Sequence, residues 1–243
     1  MKILSFIMAG RFAHFCAPYT NVYRLTQPCP TKTAIMGFIG SVLGIEKDDL
    51  NLYQKIQCGV EICSEYRTIS MPYLTRQGFP GSAANKESSR TSVEVIAEPK
   101  YRIYMVEKDK EKSNDKILPK LQQIMAEQKP VFTPCLGLAQ FIASTDFQVS
   151  KIVDGELEEG IDCEVFGAFI RGVHGELDFE KINKLSKESK LRITEFEGLK
   201  GIKPPRDFEH AVFTVNLDGG SVPLKNVKTI LKIPDWNKHV PIF

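Results

Sequence analysis

The order in which apolar segments of two different periods follow one another constrains the fold of this chain more than any other feature. Alternating or continuous runs of β-forming residues predict strands, and apolar residues spaced three and four apart predict helices. The predicted elements are a strand at residues 2–9, a helix ending at Gly44, strands at 56–69 and 101–106, a helix at 117–125 and a strand around 147–153. This order is the ferredoxin-like split βαββαβ arrangement, which RNA-recognition modules also use.

Two further regions complete the predicted organisation of the 243 residues. The polar, glycine-bearing connection between the strands at 56–69 and 101–106 is too long for an ordinary loop, so it predicts a protruding β-hairpin. After residue 155, short apolar runs separated by glycine and proline predict a small, mainly β, C-terminal region. The fold class is therefore α+β, with a first domain at residues 1–155 and a second at 156–243.

Acidic residues are distributed unevenly. The chain has 30 acids and a net charge of +2, so residues 1–45 should hold about five or six acids, yet they hold none. A second acid-free window covers residues 66–86. These windows carry the basic residues Lys2, Arg11, Arg24, Lys32, Arg67, Arg76 and Lys86. Such an asymmetry suits a polyanion on one side of the molecule, although a plain solvated surface gives the same pattern.

The first predicted helix has an unusual composition. Either Thr31 or Thr33 is suited to cap its N-terminus, and Gly44 is suited to end it. Gly37 and Gly40 lie in its interior, where each glycine costs about 1 kcal/mol relative to alanine. Something must therefore approach this backbone closely, and tight packing of the helix on the sheet is a more economical explanation than contact with a ligand.

The motifs of common enzyme classes are missing from the sequence. It has no nucleophile elbow, HExxH, P-loop or dinucleotide fingerprint, and its four histidines are far apart. The pair Cys58 and Cys63 has no second Cys or His pair nearby, so no zinc site is expected. Six cysteines without an export signal indicate reduced thiols in a cytoplasmic protein, and no run is long enough to span a membrane.

Residues 11–35 combine basic side chains, aromatic rings and a capped helix N-terminus, which together suit unpaired or kinked RNA. Three interpretations remain open: a structural RNA-binding subunit, a free-standing RNA-recognition domain, and a metal-independent endoribonuclease. The last needs only a base, an acid and a cation, because the 2′-hydroxyl of RNA is the nucleophile. The candidates for those roles are His14, Tyr19, Tyr23 and Lys32.

Several segments resemble one known family in their order along the chain. Gly10-Arg11-Phe12-Ala13-His14-Phe15 and Pro30-Thr31-Lys32-Thr33-Ala34-Ile35-Met36-Gly37 are similar to the opening of CRISPR-associated protein family five. Val42-Leu43-Gly44, Glu98-Pro99-Lys100-Tyr101-Arg102-Ile103-Tyr104 and Pro134-Cys135-Leu136-Gly137-Leu138-Ala139-Gln140-Phe141 extend the likeness. Each motif alone is weak, but the ordered set is specific, and the length and the PKYRIY segment resemble type I-B members.

The resemblance implies a role as the Cascade subunit that binds the 5′ handle of the crRNA and caps the backbone filament in antiviral defence. It implies a thumb at residues 72–99, the backbone RAMP subunit and the large subunit as partners, target DNA nearby, and no cofactor. The RNA-binding residues implied or suggested by charge are Arg11, His14, Arg24, Thr31, Lys32, Thr33, Arg67, Arg76, Lys86 and Arg90.

Two positions and one motif depart from the family pattern. Thr31 replaces a second proline, and Cys16 stands where many relatives have an arginine. The branch that cuts its own precursor crRNA uses a Tyr and a Lys-His pair, whereas Lys238-His239 lies near the C-terminus of this sequence. We therefore expect no catalytic residues and no nuclease activity.

Overall fold

The computed structural model describes residues 1–18, 20, 23–46, 51–76, 88–107, 117–188, 192–203 and 207–243. These residues form a mixed α and β fold in which strands predominate. The helices are α1 (Lys32–Leu43), α2 (Asn51–Lys55), α3 (Ile117–Ala126) and α4 (Phe179–Glu188). The strands are β1 (Lys2–Ala9), β2 (Phe12–Ala13), β3 (Ile56–Ile62), β4 (Thr68–Arg76), β5 (Ser88–Ala97), β6 (Lys100–Glu107), β7 (Val153–Asp154), β8 (Glu156–Glu158), β9 (Cys163–Val165), β10 (Phe169–Ile170), β11 (Glu176–Leu177), β12 (Ile193–Lys203), β13 (Asp207–Asn216), β14 (Val222–Lys225), β15 (Ile230–Ile233) and β16 (Lys238–Val240).

The N-terminal sheet has the strand order β3-β6-β1-β7, and every neighbouring pair is antiparallel. Its central strand β1 is buried on both faces, as a continuous apolar run requires. On one face Leu4 and Phe6 join the core cluster that contains α1 and α3. On the other face Ile3 and Tyr104 pack against Leu231 of β15. The sheet is therefore enclosed between the helices and the C-terminal strands.

The prediction of one long strand at residues 56–69 is wrong. The structure has two strands there, β3 and β4, and they belong to different sheets. The chain leaves the first sheet after β3, where the amide of Cys63 donates to the carbonyl of Lys100 at 2.8 Å and the hydroxyl of Ser64 accepts from the amide of Lys100 at 3.1 Å. A local alternation of apolar residues does not reveal such a change of sheet.

The strand predicted around residues 147–153 is reduced to the two residues of β7. The segment before β7 still lies along β1, because the amide of Ile7 donates to the carbonyl of Phe147 at 2.6 Å and the amide of Ser150 donates to the carbonyl of Ser5 at 2.8 Å. Gln148 has a left-handed φ of 41°, and the Ser150 hydroxyl accepts from the amide of Ser5. These two features replace a regular ladder.

Strands β4 and β5 pair antiparallel from Thr68 opposite Ile96 to Arg76 opposite Ser88. This hairpin occupies the region where the sequence predicts one, and its base is joined to the N-terminal residues. Strand β2 pairs with the end of β5, and Arg24 forms a parallel bridge with Val93. The base of the hairpin is thus in direct contact with the loop that precedes α1.

The C-terminal residues form several sheets and also helix α4, which the sequence analysis did not predict. A signal for α4 is present in the sequence, because the carboxylate of Asp178 accepts from the amide of Lys181 at 3.1 Å as an N-terminal cap. The division at residue 155 is a prediction about organisation. The largest core cluster joins side chains from both sides of it, including Ile35 with Phe196, Phe213 and Phe243.

The last residues of the sequence continue the N-terminal sheet beyond β3. The amide of Cys58 donates to the carbonyl of Phe243 at 3.1 Å, and the amide of Phe243 donates back to the carbonyl of Cys58 at 2.9 Å.

Within the described part of the chain, no helix is long and apolar enough to cross a membrane.

Candidate functional site

A pocket of about 560 Å³ lies where the N-terminal loop, helix α1, the turn after α3 and the C-terminal hairpin β12–β13 meet. This volume lies within the range of small-molecule sites. The lining residues are His14, Phe15, Cys16, Pro18, Gln27, Thr31, Thr33, Ala34, Gly37, Phe38, Ser41, Cys135, Gly137, Leu138 and His210. The described residues of this lining include two histidines and two cysteines but no Asp, Glu, Lys or Arg.

The loop between β2 and α1 forms one wall because it folds back on itself. The amide of Gln27 donates to the carbonyl of Phe15 at 2.7 Å, and the amide of Ala17 donates to the carbonyl of Leu25 at 3.0 Å. The Phe15 ring meets the buried Tyr101 ring edge-on at 5.9 Å. The described part of the loop is thus held by its own hydrogen bonds and by the core, as its aromatic composition predicts.

Helix α1 begins at the pocket. Thr31 is the N-cap, with extended backbone angles, and its hydroxyl accepts from the amide of Ala34 at 3.5 Å. The hydroxyls of Thr31 and Thr33 are 2.8 Å apart, and no acidic residue lies in the first turn. The partial positive charge of the helix N-terminus is therefore not offset by a carboxylate in that turn.

The interior glycines of α1 do not serve tight helix packing, contrary to the interpretation favoured by the sequence. A Cβ atom built on Gly37 would meet nothing within 4 Å, and one built on Gly40 would lie 3.8 Å from the carbonyl oxygen of Ile45, an ordinary contact. Gly37 is exposed and lines the pocket. Its missing side chain therefore leaves space in the pocket and does not admit a neighbouring strand or helix.

The turn after α3 closes the opposite side and holds the backbone of His14. The amide of His14 donates to the carbonyl of Leu136 at 3.1 Å. Gly137 has a left-handed φ of 89°, and a Cβ atom there would lie 1.8 Å from the carbonyl oxygen of His14. Only glycine fits this position, because both the conformation and the close approach exclude a side chain.

His14 is an almost completely buried histidine, with 2% of its surface exposed. Its Nδ1 lies 2.8 Å from the carbonyl oxygen of Glu94 in β5. Burial lowers the pKa of His14 below its usual 6.5, opposed by that hydrogen bond and reinforced by the charge of Arg24. The ring is therefore neutral near pH 7, and its Nε2 has no hydrogen-bond partner among the described residues.

Gln27 is the second buried polar side chain of the pocket, with 3% of its surface exposed. Its Nε2 donates to the backbone carbonyl of Glu197 in β12 at 2.6 Å. Its Oε1 has no partner in the described part of the chain. An unpaired buried acceptor costs about 1–3 kcal/mol, so each of these two atoms lowers the stability of the fold.

The C-terminal hairpin contributes a second histidine. His210 of β13 lines the pocket, and its Nδ1 lies 3.4 Å from a carboxylate oxygen of Glu197, with both side chains nearly half exposed. Sequence analysis did not associate His14 with His210, because the two residues are 196 positions apart in the sequence. Only the fold places both in the lining of one pocket. Sequence analysis also missed Gln27. The only feature of the sequence that could have indicated its role is a polar amide side chain next to Pro28 in a loop rich in aromatic residues.

Three of the residues assigned to RNA binding lie in this pocket: His14, Thr31 and Thr33. Arg24 is exposed, and it lies close enough for its charge to act on His14. Lys32 is only 6% exposed and acts electrostatically on the buried thiol of Cys58, so its ammonium lies beneath the surface and not at the rim of the pocket.

The other assigned residues lie away from the pocket lining. Arg11 is exposed, with its guanidinium 5.5 Å from the centre of the Phe12 ring. Arg67 forms an exposed ion pair with Glu98 at 3.5 Å. Arg76 and Arg90 lie on β4 and β5 of the hairpin, and Lys86 lies outside the described residues.

The set of residues considered for catalysis is not assembled at one point. Lys32 is buried, Tyr23 is 44% exposed and neither lines the pocket. Tyr19 lies outside the described residues. Of this set only His14 is a pocket residue, accompanied there by His210.

Two solved structures share the fold of this chain. One, a CRISPR RNA-guided surveillance complex, matches with 15% identity and a TM-score of 0.54 over 91% of this chain and 91% of that chain. The other, a CRISPR protein from Archaeoglobus fulgidus, matches with 10% identity and a TM-score of 0.55 over 100% and 98% of the two chains. A comparison with curated proteins gave no match.

A protein-family model matches the N-terminal two thirds of the sequence. The family is described as CRISPR-associated protein (Cas_Cas5), and the matched residues are 3–165. They include the N-terminal loop, helix α1 and the turn around Gly137, which form three of the four pocket walls. Because the match covers more than half of the sequence, the chain belongs to the CRISPR-associated Cas5 family.

Proposed function

We propose that this chain is a non-catalytic subunit of a Cascade-type CRISPR effector complex that binds the 5′ handle of the crRNA across the pocket. The observation that carries the proposal is that the residues matched by the family model form three of the four walls of the pocket. A ferredoxin-like first domain with the β4–β5 hairpin as its thumb is part of this proposal, and the sheet order β3-β6-β1-β7 and the pairing of β4 with β5 support it.

Binding requires groups that the site supplies. The N-terminus of α1, whose first turn holds no carboxylate, and the hydroxyls of Thr31 and Thr33 suit a phosphate. Arg11 and Arg24 are exposed on the same N-terminal stretch. The proposed partners are the crRNA, the backbone RAMP subunit and the large subunit, with target DNA nearby; membership of type I-B is a further prediction.

The test begins with the RNA itself. We expect the protein, expressed beside its CRISPR array, to co-purify with short RNAs that share one 5′ end.

The salt dependence of binding tests Arg11. Arg11→Gln should reduce the slope of log affinity against log salt concentration by roughly 0.7, because one single-strand phosphate contact is lost. Lys32→Gln serves as the comparison, since its buried position predicts little change in that slope. Equal slopes for wild type and Arg11→Gln would remove Arg11 from the interface.

A metal-independent endoribonuclease is a second candidate, because His14 and His210 line one pocket. A pair of histidines is suited to act as base and acid on a 2′-hydroxyl and its leaving group. Incubation with repeat RNA in EDTA separates the two candidates. We expect intact RNA; discrete fragments that disappear in both His14→Ala and His210→Ala would establish cleavage and overturn the non-catalytic assignment.

A further inference from the structure

The N-terminal loop continues the sheet of the β4–β5 hairpin with two short segments. Residues 24–27 begin parallel to β5, and residues 14–17 lie antiparallel to residues 24–27. One hydrogen-bonded layer therefore runs from the hairpin to the wall of the pocket that holds Phe15 and Cys16.

Strand β5 holds the backbone of Arg24 through both of its polar groups. The amide of Arg24 donates to the carbonyl of Ser92 at 3.3 Å, and its carbonyl accepts from the amide of Glu94 at 2.9 Å. The residue is nevertheless exposed. Because its backbone is fixed in advance, less conformational entropy is lost when the guanidinium binds a phosphate.

The side chain of Glu94 completes this attachment. In a regular parallel ladder the next amide of the loop, that of Thr26, would donate to the carbonyl of Glu94. That carbonyl lies 2.8 Å from Nδ1 of His14, which donates to it because a carbonyl only accepts. The amide of Thr26 donates instead to a carboxylate oxygen of Glu94 at 3.1 Å. The carboxylate therefore takes the place of a backbone acceptor in the ladder.

Thr26 connects this contact to the second segment of the loop. Its hydroxyl accepts from the amide of Phe15 at 3.0 Å and donates to the carbonyl of Gln27 at 3.1 Å. Glu94 thus contacts both segments through three separate groups, namely its amide, its carbonyl and its carboxylate.

A carboxylate is an unexpected group beside a surface that binds RNA, because its charge repels phosphates. Residues 1–45 hold no acid, and Glu94 brings one to the loop from another part of the sequence. We propose that Glu94 is a positioning residue, which holds the loop so that Arg24 meets a phosphate of the crRNA. This inference rests on the proposed function and adds to it a carboxylate that favours RNA binding in spite of its charge.

Two conservative substitutions separate the position of the carboxylate from its charge. Glu94→Asp keeps the charge but is one methylene shorter, so it should lose the contact with the amide of Thr26. Glu94→Gln removes the charge but keeps an oxygen that accepts from that amide. We expect Glu94→Asp to bind labelled octauridylate about threefold to tenfold less tightly than wild type, and Glu94→Gln to bind at least as tightly. Fluorescence anisotropy measures both; unchanged affinity of Glu94→Asp or weakened affinity of Glu94→Gln would overturn the proposal.

The salt dependence shows whether the loss acts through Arg24. Arg24→Gln should reduce the slope of log affinity against log salt concentration by roughly 0.7, because one phosphate contact is lost. Glu94→Asp should reduce the slope equally although Arg24 is still present, and Arg24→Gln should add nothing in that background. A wild-type slope in Glu94→Asp, or a second reduction in the double variant, would overturn the positioning role.

Glu98→Asp is the matched control. Glu98 directly follows β5, and its carboxylate forms the exposed ion pair with Arg67. The same shortening of an acid at the base of the hairpin should leave the affinity and the slope at their wild-type values. A loss in both Asp variants would overturn the specific role of Glu94.

The outcomes separate the inference from the proposed function. Tight, salt-dependent RNA binding that responds to neither Glu94→Asp nor Arg24→Gln would overturn the inference and leave RNA binding in place. Failure of the wild-type chain to bind octauridylate or any co-purified RNA would contradict the proposed function and with it the inference.

Discussion

Two walls of the pocket use glycine for opposite reasons. In helix α1, a Cβ atom on Gly37 would meet nothing within 4 Å. In the facing turn, a Cβ atom on Gly137 would lie 1.8 Å from the carbonyl oxygen of His14. The first glycine leaves room for something outside the chain, whereas the second allows two segments of the chain to touch. Stability and binding should therefore respond separately to substitution at the two positions.

The largest effect is expected at Gly137. Gly137→Ala should lower the free energy of unfolding by about 3 kcal/mol, since it combines left-handed strain with a backbone clash. Gly160→Ala is the matched control, because Gly160 has a φ of 70° and open space around it. The control should lose only about 1–2 kcal/mol. Urea unfolding measures both, and equal losses would show that the contact with His14 does not constrain the turn.

A large side chain at Gly37 of helix α1 should lower the affinity for RNA more than it changes the stability of the fold. Gly37→Leu places a large side chain in open space that belongs to the pocket, so we expect the thermal midpoint to be kept and RNA affinity to fall about tenfold or more. Anisotropy titration with octauridylate checks the affinity. Unchanged binding by a folded Gly37→Leu protein would separate the pocket from the RNA interface.

A smaller substitution at Gly37 should raise the stability, whereas the alanine substitution at Gly137 lowers it. Gly37→Ala adds a methyl group that meets no neighbour and removes the conformational entropy cost of a helical glycine, so it should stabilise the protein by about 0.5–1 kcal/mol. Urea unfolding again measures the change. A loss of stability instead would mean that the helix requires glycine at this position for its own packing.

The smallest effect is expected from the pH dependence of His14. Its folded-state pKa lies below the usual 6.5, so the unfolded chain binds the proton more readily. This contribution to stability is present above pH 6.5 and is lost as the pH falls through the folded-state pKa. The unfolding free energy of His14→Asn should therefore fall less between pH 7.5 and 5 than that of wild type. Parallel pH curves would contradict the assignment of a neutral, buried ring.

Local periodicity was sufficient for the elements that form continuous apolar faces. Strands β1 and β6 and helices α1 and α3 lie where the sequence predicts them, and Thr31, one of the two capping candidates, is the N-cap. Each of these features depends on neighbouring residues. The break after β3 and the irregular segment before β7 were not predictable in this way. Each is decided by hydrogen bonds to a strand elsewhere in the chain, such as that between Cys63 and Lys100.

In the candidate site as well, the residues that depend on nearby sequence were predicted, whereas those that depend on contacts with distant parts of the chain were not. Sequence analysis located the loop and the start of α1, and it included His14, Thr31 and Thr33. Gln27 and His210 were out of reach, because their roles depend on the hairpin β12–β13 packing beside the N-terminal loop. The opposite meanings of Gly37 and Gly137 were also hidden, since the space around a glycine is a property of the folded chain.

The pairing of Phe243 with Cys58 has a consequence for synthesis and assembly. Residues 185 positions apart complete this edge, so during translation β3 remains an open strand edge until the distant partner has left the ribosome. Open edges recruit strands from other chains. A partner that joins during synthesis has access to that edge, whereas a partner that meets the finished protein finds it occupied.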